Sequence, residues 1–567
     1  MRQAADLKKS MKDFNPVRWW GWGDAGKQYD LSQRPYFWPH LKGRLDIPER
    51  PFFFPPKFEE IELPPCDFLG SGLKGLEEIL SNERIAISKE EKLSHTYGKS
   101  YHDLVRIRKK VFPEVPDAVL YPTDEMEIQR ILAWAVENRV AIVPWGGGTN
   151  VTGGVEATRR DNHQGLVVVD LKGMDRVLTI HKKSLLADVQ AGISGPKLEK
   201  KLQKEGLTFS HYPESFEFST LGGWIAARAA GQQSTLYGKI EDMVESVRLL
   251  TPRGLLQTPH LPAAANGPDL TQLVIGSEGI LGMITQARIR LNSLPERKLY
   301  TAGLFRSFGE GIEVMRHILQ SGLRPAMLRL SDAEETDLIF SMRKKKSSPL
   351  TDALQNLGLG WVEKRGFPPK KRSILIMGLE GSAENVRMES KAIRKILRSY
   401  PMFHLGESIG QDWYRHRFEN PYLRDMLMDY DVLVDTLETA TEWDHVWNVY
   451  SKVRNAIQNA YDGLRIKGVV TAHLSHMYPT GSSLYFILLA TPHVGQELEE
   501  WWTIKRAASD AIVASGGTIS HHHGIGLDHR SWLEREIGRE GLRLIRSLKQ
   551  AVDPEGILNP GKLLPDS

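Results

Sequence analysis

From about residue 115 to 294 the chain alternates amphipathic stretches with short apolar runs, the pattern of a mixed α+β unit. Ile128, Ile131, Leu132 and Ala135 recur at helical spacing. Thr123 is placed to cap that helix, with Asp124 and Glu125 in its first turn and Asn138 as its stop. Val140–Val143, Val167–Asp170 and Ala187–Ala191 read as strands, the last followed by a turn at Gly192–Gly195. From about 300 to 510 helical stretches lengthen and strands stand apart, as at Arg372–Met377 and Leu484–Leu489. The tail returns with a helix and a strand at Gly517–Ser520. The first 100 residues are broken by Pro51-Phe-Phe-Phe-Pro-Pro56 and Pro64-Pro65. The pattern predicts an arm over 1–110, a nucleotide-binding unit over 111–295, a substrate-covering unit over 296–510 and a C-terminal segment over 511–567.

Composition narrows the classes. A chain of 567 residues, 41% hydrophobic and 25% charged, reads as a soluble globular protein of two or three packed units. One cysteine, Cys66, excludes a disulfide framework and an iron–sulfur or Cys-rich zinc centre, and suits a reducing cytoplasm. No stretch reaches the ~18 apolar residues of a spanning helix. The start lacks a secretory signal, and Pro565-Asp-Ser567 is not a peroxisomal tripeptide. A net charge of +4 gives no reason to expect nucleic acid. Its distribution has two basic concentrations: Arg343–Lys346 with Lys364, Arg365 and Lys370–Arg372, and Lys8, Lys9, Lys12 and Arg18 before Trp19, Trp20 and Trp22. Solvated loops are the plain reading; peripheral contact with the inner face of a membrane is the alternative.

Three glycine-ended loops carry the chemistry. In Pro144-Trp-Gly-Gly-Gly-Thr-Asn-Val-Thr-Gly-Gly154 the glycines let several N–H groups converge on one anion, and Thr149, Asn150 and Thr152 add donors without charge. The spacing is neither that of the Rossmann fingerprint nor that of a P-loop. Pro213-Glu-Ser-Phe-Glu-Phe-Ser-Thr-Leu-Gly-Gly223 and Gly276-Ser-Glu-Gly-Ile-Leu-Gly-Met-Ile-Thr285 follow. In this order and at these separations they resemble the vanillyl-alcohol oxidase family, with its PCMH-type FAD-binding domain. The resemblance implies an α+β fold: that FAD domain, an α+β cap and a helical N-terminal arm. It implies FAD held by Pro144, Gly146, Gly147, Gly148, Thr149, Asn150, Val151 and Gly153; by Pro213, Ser215, Ser219, Thr220, Gly222 and Gly223; and by Glu278, Gly279, Gly282 and Ile284. Positions 143–155 hold no histidine, so the flavin is expected to be non-covalent.

The C-terminal half is similar to the alkyldihydroxyacetonephosphate synthases within that family. His521-His-His-Gly-Ile-Gly526 resembles their histidine cluster, where hydroxy-acid-oxidising relatives carry Glu-His-Gly. Arg18-Trp-Trp-Gly-Trp-Gly-Asp24 resembles a segment near their N-terminus. The resemblance makes Tyr485, His521, His522 and His523 the catalytic set and Arg424 and Arg329 the substrate-binding arginines. Metal-dependent relatives have a second histidine where this chain has Tyr485, so no metal is expected, although His473 and His476 stand close by. Departures fall at Leu527-Asp-His-Arg530, at His473 and at Asn559, one position from the family's functional asparagine.

The implied reaction exchanges the acyl group of a long-chain acyl-dihydroxyacetone phosphate for a fatty alcohol, forming an ether lipid without net oxidation. Tyr485 would move the proton, its acidity helped by the His521–His523 cluster, and a histidine there would exchange protons or present positive charge to the phosphate. The alternative is a flavin dehydrogenase of a 2-hydroxy acid or glycerol-phosphate-like alcohol. A homodimer is left open.

Overall fold

The computed structural model describes residues 17–65, 68, 73–345, 358 and 360–565. Cys66, Lys8, Lys9, Lys12 and Lys346 lie outside them. Strands β1 (Ile85–Ala86), β2 (Ala118–Leu120), β3 (Val140–Trp145) and β4 (Gly165–Asp170) form a sheet in the order β1-β2-β4-β3, parallel except at β1–β2. β4 is buried along its whole length, which is why it reads as an unbroken apolar run and not as an alternation. The helix Glu125–Asn138 lays Ile128, Ile131, Leu132 and Ala135 on this sheet and ends on Arg139 in the left-handed region. Its cap is Asp124, not Thr123. The Asp124 carboxylate accepts the Glu127 N–H at 2.9 Å, and Thr123, one residue too early, donates its own N–H to the Glu127 carboxylate at 2.8 Å.

Next come β5 (Val177–His181), β6 (Leu186–Gln190), β7 (Leu207–Thr208), β8 (Val244–Thr251), β9 (Gly254–Gln257), β10 (Met283–Arg290) and β11 (Asn292–Ser293). β7 and β11 pair with each other; the rest form an antiparallel sheet, β5-β6-β10-β8-β9. The chain's end returns to the first sheet. Ile142 N–H donates to Ile557 at 2.7 Å and Asn559 N–H to Ile142 at 2.8 Å, laying Leu558 along the free edge of β3.

The third sheet is the largest. β12 (Arg297–Phe305), β13 (Met327–Ser331), β14 (Ser373–Gly381), β15 (Met402–Gly406), β16 (Leu433–Glu442), β17 (Gly468–Met477) and β18 (Gly481–Ala490) run in the order β15-β12-β14-β13-β17-β18-β16. Helices Phe308–Gln320, Ala383–Leu397, Trp443–Leu464 and Glu497–Ala514 share a core with one of its faces. On the other face the helix Glu407–His416 covers β12 and β14, and β13, β17, β18 and β16 face a cavity.

Two expectations change here. Gly517–Ser520 forms no strand. Thr518 N–H reaches Ala440, but Gly517 N–H turns back to Ile512 and Ile519 N–H goes to the Glu536 carboxylate at 2.7 Å, so no continuous ladder forms. Arg18 and Trp22 do not face a membrane. Arg18 is buried beside Asp425, and Trp22 donates its backbone N–H to the same carboxylate, so the arm is clamped onto the helix Asn420–Met428. The arm is mostly irregular, with short helices such as Phe37–Lys42 and the longer Tyr101–Arg108. Among the described residues no helix is long and apolar enough to cross a membrane.

Candidate active site

A cavity of about 490 Å³ lies between the glycine loops and the third sheet. The glycine loops form its first wall. Gly146 to Val151, Pro213, Ser215, Ser219, Thr220, Gly222, Gly223, Gly279, Gly282 and Ile284 all line it, as do Pro144 and Glu278. Gly153 does not; its neighbour Gly154 does, while Gly153 packs toward Leu527 and Asp528. The close approach of the loops explains the glycines. A Cβ on Gly147 would overlap the Phe218 carbonyl, a backbone atom with nowhere to go, and Gly148 has φ +63°. Gly147→Ala is therefore expected to spread the two loops and abolish flavin binding in a protein that still folds. Flavin absorbance of the purified variant checks this, and a wild-type flavin content would refute it.

The opposite wall follows from the period of two along strands. Val434, Thr436 and Glu438 on β16 stand opposite Leu489, Ile487 and Tyr485 on β18. Tyr485 is opposite His473 on β17, whose Ser475 follows on the same face, and Met327 and Arg329 continue it on β13. The row grades from Glu438, Tyr485 and His473 at one end to Val434, Ile487 and Leu489 at the other. Phe37, Leu41, Leu338, Met342 and Leu427 extend the apolar end.

The segment after Ser520 lies over the polar end. Glu438, 1% exposed, gathers it: its carboxylate accepts N–H bonds from His521, His522 (3.1 Å) and His523 (2.8 Å) and the Ser520 hydroxyl (2.8 Å). Glu278 holds the next residues, accepting from Ile525 and from Gly526 (2.7 Å). That carboxylate holds the loop, and burial pushes it up to about 7. His522 and His523 line the cavity, with ring centroids 6.1 and 5.6 Å from Tyr485; His521 sits behind them. Glu438, His521 and His522 each bring one ligand-type atom within 4.8 Å of the others. Those lone pairs are in use: the carboxylate takes backbone N–H groups, and the two Nδ1 atoms face each other at 2.9 Å.

Both arginines reach the cavity. Arg424 donates to the Lys99 carbonyl at 2.8 Å and pairs with Asp425 at 3.0 Å. Arg329 pairs with Glu335 at 2.7 Å, and His473 lies 3.0 Å from the same oxygen. Burial works to raise the Glu335 carboxyl, but His473 and Arg329 outweigh it and hold it ionised.

The expected positive charge from the histidines is absent. Burial first, then Lys239 and the neighbouring rings, hold His521 and His522 neutral, and burial does the same to His523. His476 is lowered to about 3 by burial and Lys239. Tyr485 is raised by burial, with Glu214 and Glu438 adding to it, so it rests as the phenol. Four imidazoles cannot share charge in so little solvent.

Asp528, just past the histidines, is 1% exposed, and neither oxygen takes a hydrogen bond among the described residues. Burial raises it from 3.8 to about 7. The folded state therefore holds this proton more tightly than the unfolded chain. The resulting stabilisation is complete below the unfolded pKa and is lost as pH rises through 7. Asp528→Asn is expected to match wild type in denaturant midpoint near pH 4 and to exceed it at pH 8, the pH-dependent difference being on the order of 4 kcal/mol. Equal midpoints at both pH values would refute this.

Glu438, Glu214, Trp22 and Asn559 were not among the expected site residues, yet all four bear on the cavity. Asn559 donates to the Gly154 and Glu278 carbonyls at 3.0 and 2.6 Å, tying two glycine loops together. The only trace of Glu438 in the sequence is a carboxylate at an inward position of the alternating run Leu433–Glu442.

The fold and the glycine cradle define an FAD-binding member of the FAD-linked oxidases. The family described as "FAD binding domain" matches residues 116–258, and "FAD linked oxidases, C-terminal domain" matches 294–563. FAD is the cofactor, and loops whose backbone only glycine can build, with hydroxyl and N–H donors, fit it. The chain is 32% identical to an alkyldihydroxyacetonephosphate synthase of Dictyostelium discoideum over 98% of its own length and 95% of that protein's. A solved alkyldihydroxyacetonephosphate synthase superposes with TM-score 0.82 at 30% identity, over 96% of this chain and 97% of that one. Substrate-bound p-cresol methylhydroxylase shares the fold alone, with TM-score 0.65 at 13% identity over 87% and 96% of the two chains. The chain belongs to the alkyldihydroxyacetonephosphate synthase family.

Proposed function

We propose that this protein exchanges the fatty acyl group of an acyl-dihydroxyacetone phosphate for a fatty alcohol, making the ether bond of an ether lipid. The carrying observation is one cavity with a flavin cradle on one wall and, on the other, a tyrosine–histidine row running into an apolar end. A hydroxy acid needs no such apolar end; two long chains do.

Bound FAD, held without a covalent bond, would supply an electron-poor ring that activates the substrate carbon for exchange with no net oxidation. The protein's part is binding and proton placement. Arg424 and Arg329 supply guanidinium donors for the phosphate, each kept in place by a carboxylate partner. Tyr485, resting as the phenol, relays the proton: the one lost by the incoming alcohol leaves with the fatty acid, and the tyrosine ends the exchange as it began. The neutral histidines orient groups around it through hydrogen bonds.

Supporting this reading, Val434, Ile487 and Leu489 offer the alkyl chain a continuous surface, and the arm's Phe37 and Leu41 close it from outside. A peripheral membrane contact fits such substrates. Lys364, Arg365, Lys370 and Lys371 are exposed, and the Arg365 guanidinium lies 4.4 Å from the ring centroid of Trp361, itself 49% exposed.

The test is anaerobic incubation with acyl-dihydroxyacetone phosphate and a labelled fatty alcohol, with no electron acceptor. Label is expected in the ether product, with release of fatty acid and no bleaching of the flavin. Turnover only with an added dye, on a hydroxy acid or phosphorylated alcohol, would overturn the reading in favour of a dehydrogenase.

A further inference from the structure

From behind the cavity wall a chain of three hydrogen-bonding groups runs to His522 in the wall, starting at Tyr478, which the mechanism above leaves unused. The Tyr478 hydroxyl stands 2.6 Å from Nε2 of His521, and Nδ1 of His521 stands 2.9 Å from Nδ1 of His522. Tyr478 is half-buried at the end of β17, beside exposed Pro479 and Thr480; the His522 ring lines the cavity. Both ends of this chain are thus anchored, one toward solvent and one at the chemistry.

We propose that Tyr478 is a positioning residue that sets the tautomers of His521 and His522, so that His522 presents an Nε2–H donor at the cavity wall.

Proton counting fixes the tautomers. A contact of 2.6 Å is short for an N–H donor but ordinary for an O–H donor, so the phenol donates and Nε2 of His521 accepts. Burial raises the phenol further above its usual range and keeps its proton in place. A neutral imidazole carries one proton, so His521 carries it on Nδ1. Nδ1 of His522, 2.9 Å away, must then accept, and its proton goes to Nε2. Among the described residues that Nε2 has no hydrogen-bond partner. Burial and the surrounding positive and imidazole groups keep both rings neutral, which is what the counting requires. The main chain cannot substitute for Tyr478. Glu438 and Lys239 hold the His521 backbone N–H and carbonyl, which fixes where the ring sits but not where its proton lies.

The consequence for catalysis rests on the proposed reaction. His522 meets the cavity as a hydrogen-bond donor and not as a base. A donor suits an anionic oxygen, whether of the departing carboxylate or of the phosphate.

The experiment uses full-length protein with ¹⁵N-labelled histidine, with and without FAD, and His522→Gln to assign the signals. In the wild type, Nε2 of His522 is expected at the shift of a protonated ring nitrogen and Nδ1 at that of a bare one. Tyr478→Phe is expected to shift both rings toward the opposite tautomer. It should lower kcat of the exchange reaction about tenfold, the loss of one hydrogen bond, with KM for the alcohol and flavin content unchanged. 3-Fluorotyrosine at 478 keeps the donor and should keep the wild-type spectrum. A wild-type His522 protonated on Nδ1, an unchanged spectrum in Tyr478→Phe, or a stoichiometric divalent metal on these rings would overturn the proposal. Should the wild type show the expected tautomers but no exchange activity, the proposed reaction fails and the tautomer assignment stands.

Discussion

Tyr485→Phe is expected to lower kcat of the exchange reaction by about 10³-fold while leaving flavin content and thermal stability near wild type. The reason is where the hydroxyl sits and what surrounds it. The ring occupies one place in a row of cavity-facing side chains, stacked on His473 at 4.9 Å and edge-on to His523 at 5.6 Å. Phenylalanine fills the same space, so packing is kept and only the proton is lost. General acid–base groups contribute roughly 10²–10⁴-fold. The three histidines, held neutral, have no acidic proton to give in its place, and Glu438 is committed to backbone N–H groups. Steady-state kinetics with flavin quantified per chain decides the matter. A variant retaining a tenth or more of wild-type kcat would remove Tyr485 from the proton-transfer role.

The second large effect is on structure. Glu438→Ala takes away the acceptor for three consecutive backbone N–H groups and one hydroxyl. Hydrogen bonds to a charged group contribute roughly 1.5–3 kcal/mol each, and stranding buried donors adds a penalty of its own. Because the four share one carboxylate they do not add, and a loss of about 3–5 kcal/mol is expected. It should appear as a lower denaturant midpoint and as much faster amide hydrogen exchange at 521–523. Exchange elsewhere in the third sheet should change little. Glu438→Gln keeps one oxygen acceptor and should fall between. Unchanged exchange at 521–523 in the alanine variant would show that other contacts hold the histidine segment.

The two variants test different levels of the same wall. One removes a proton from a strand position; the other releases the loop laid over that strand. Glu438 and Tyr485 are direct cross-strand partners, so the strand pairing that places the acid also places the clamp.

Much of this site was legible because its chemistry leaves local marks. Three glycines in a row after an apolar strand can be read without a fold, since only a missing Cβ lets the 144–154 and 213–223 loops meet. The sheet-forming runs at 140–143, 167–170 and 187–191 were legible for a similar reason: burial of a strand shows in its own residues. The strand at 517–520 misled because its apolar and β-branched residues match a ladder. Its backbone bonds instead to Ile512 within the preceding helix, to Ala440 and to the Glu536 carboxylate, partners that no local pattern announces. Thr123 misled for the opposite reason: two adjacent residues could both cap, and only geometry chose Asp124.

The N-terminal basic and tryptophan residues were open to two readings because exposure cannot be seen in a one-dimensional pattern. Arg18 and Trp22 proved to be internal, clamping the helix that carries Arg424. Protonation states were equally out of reach. A run of three histidines looks like a source of positive charge, and only burial in company made it neutral.

By itself, the sequence determined the cofactor cradle, the strand that carries Tyr485 and the family to which both belong, because each depends on residues adjacent in the chain. Tertiary structure decided which carboxylates serve the backbone and which nitrogens carry protons. It also decided that Val434, Ile487 and Leu489 join Phe37 and Leu41 of the arm, distant in sequence, in one apolar wall. Those outcomes depend on distances between distant residues and on exclusion of water, which exist only once the chain is folded.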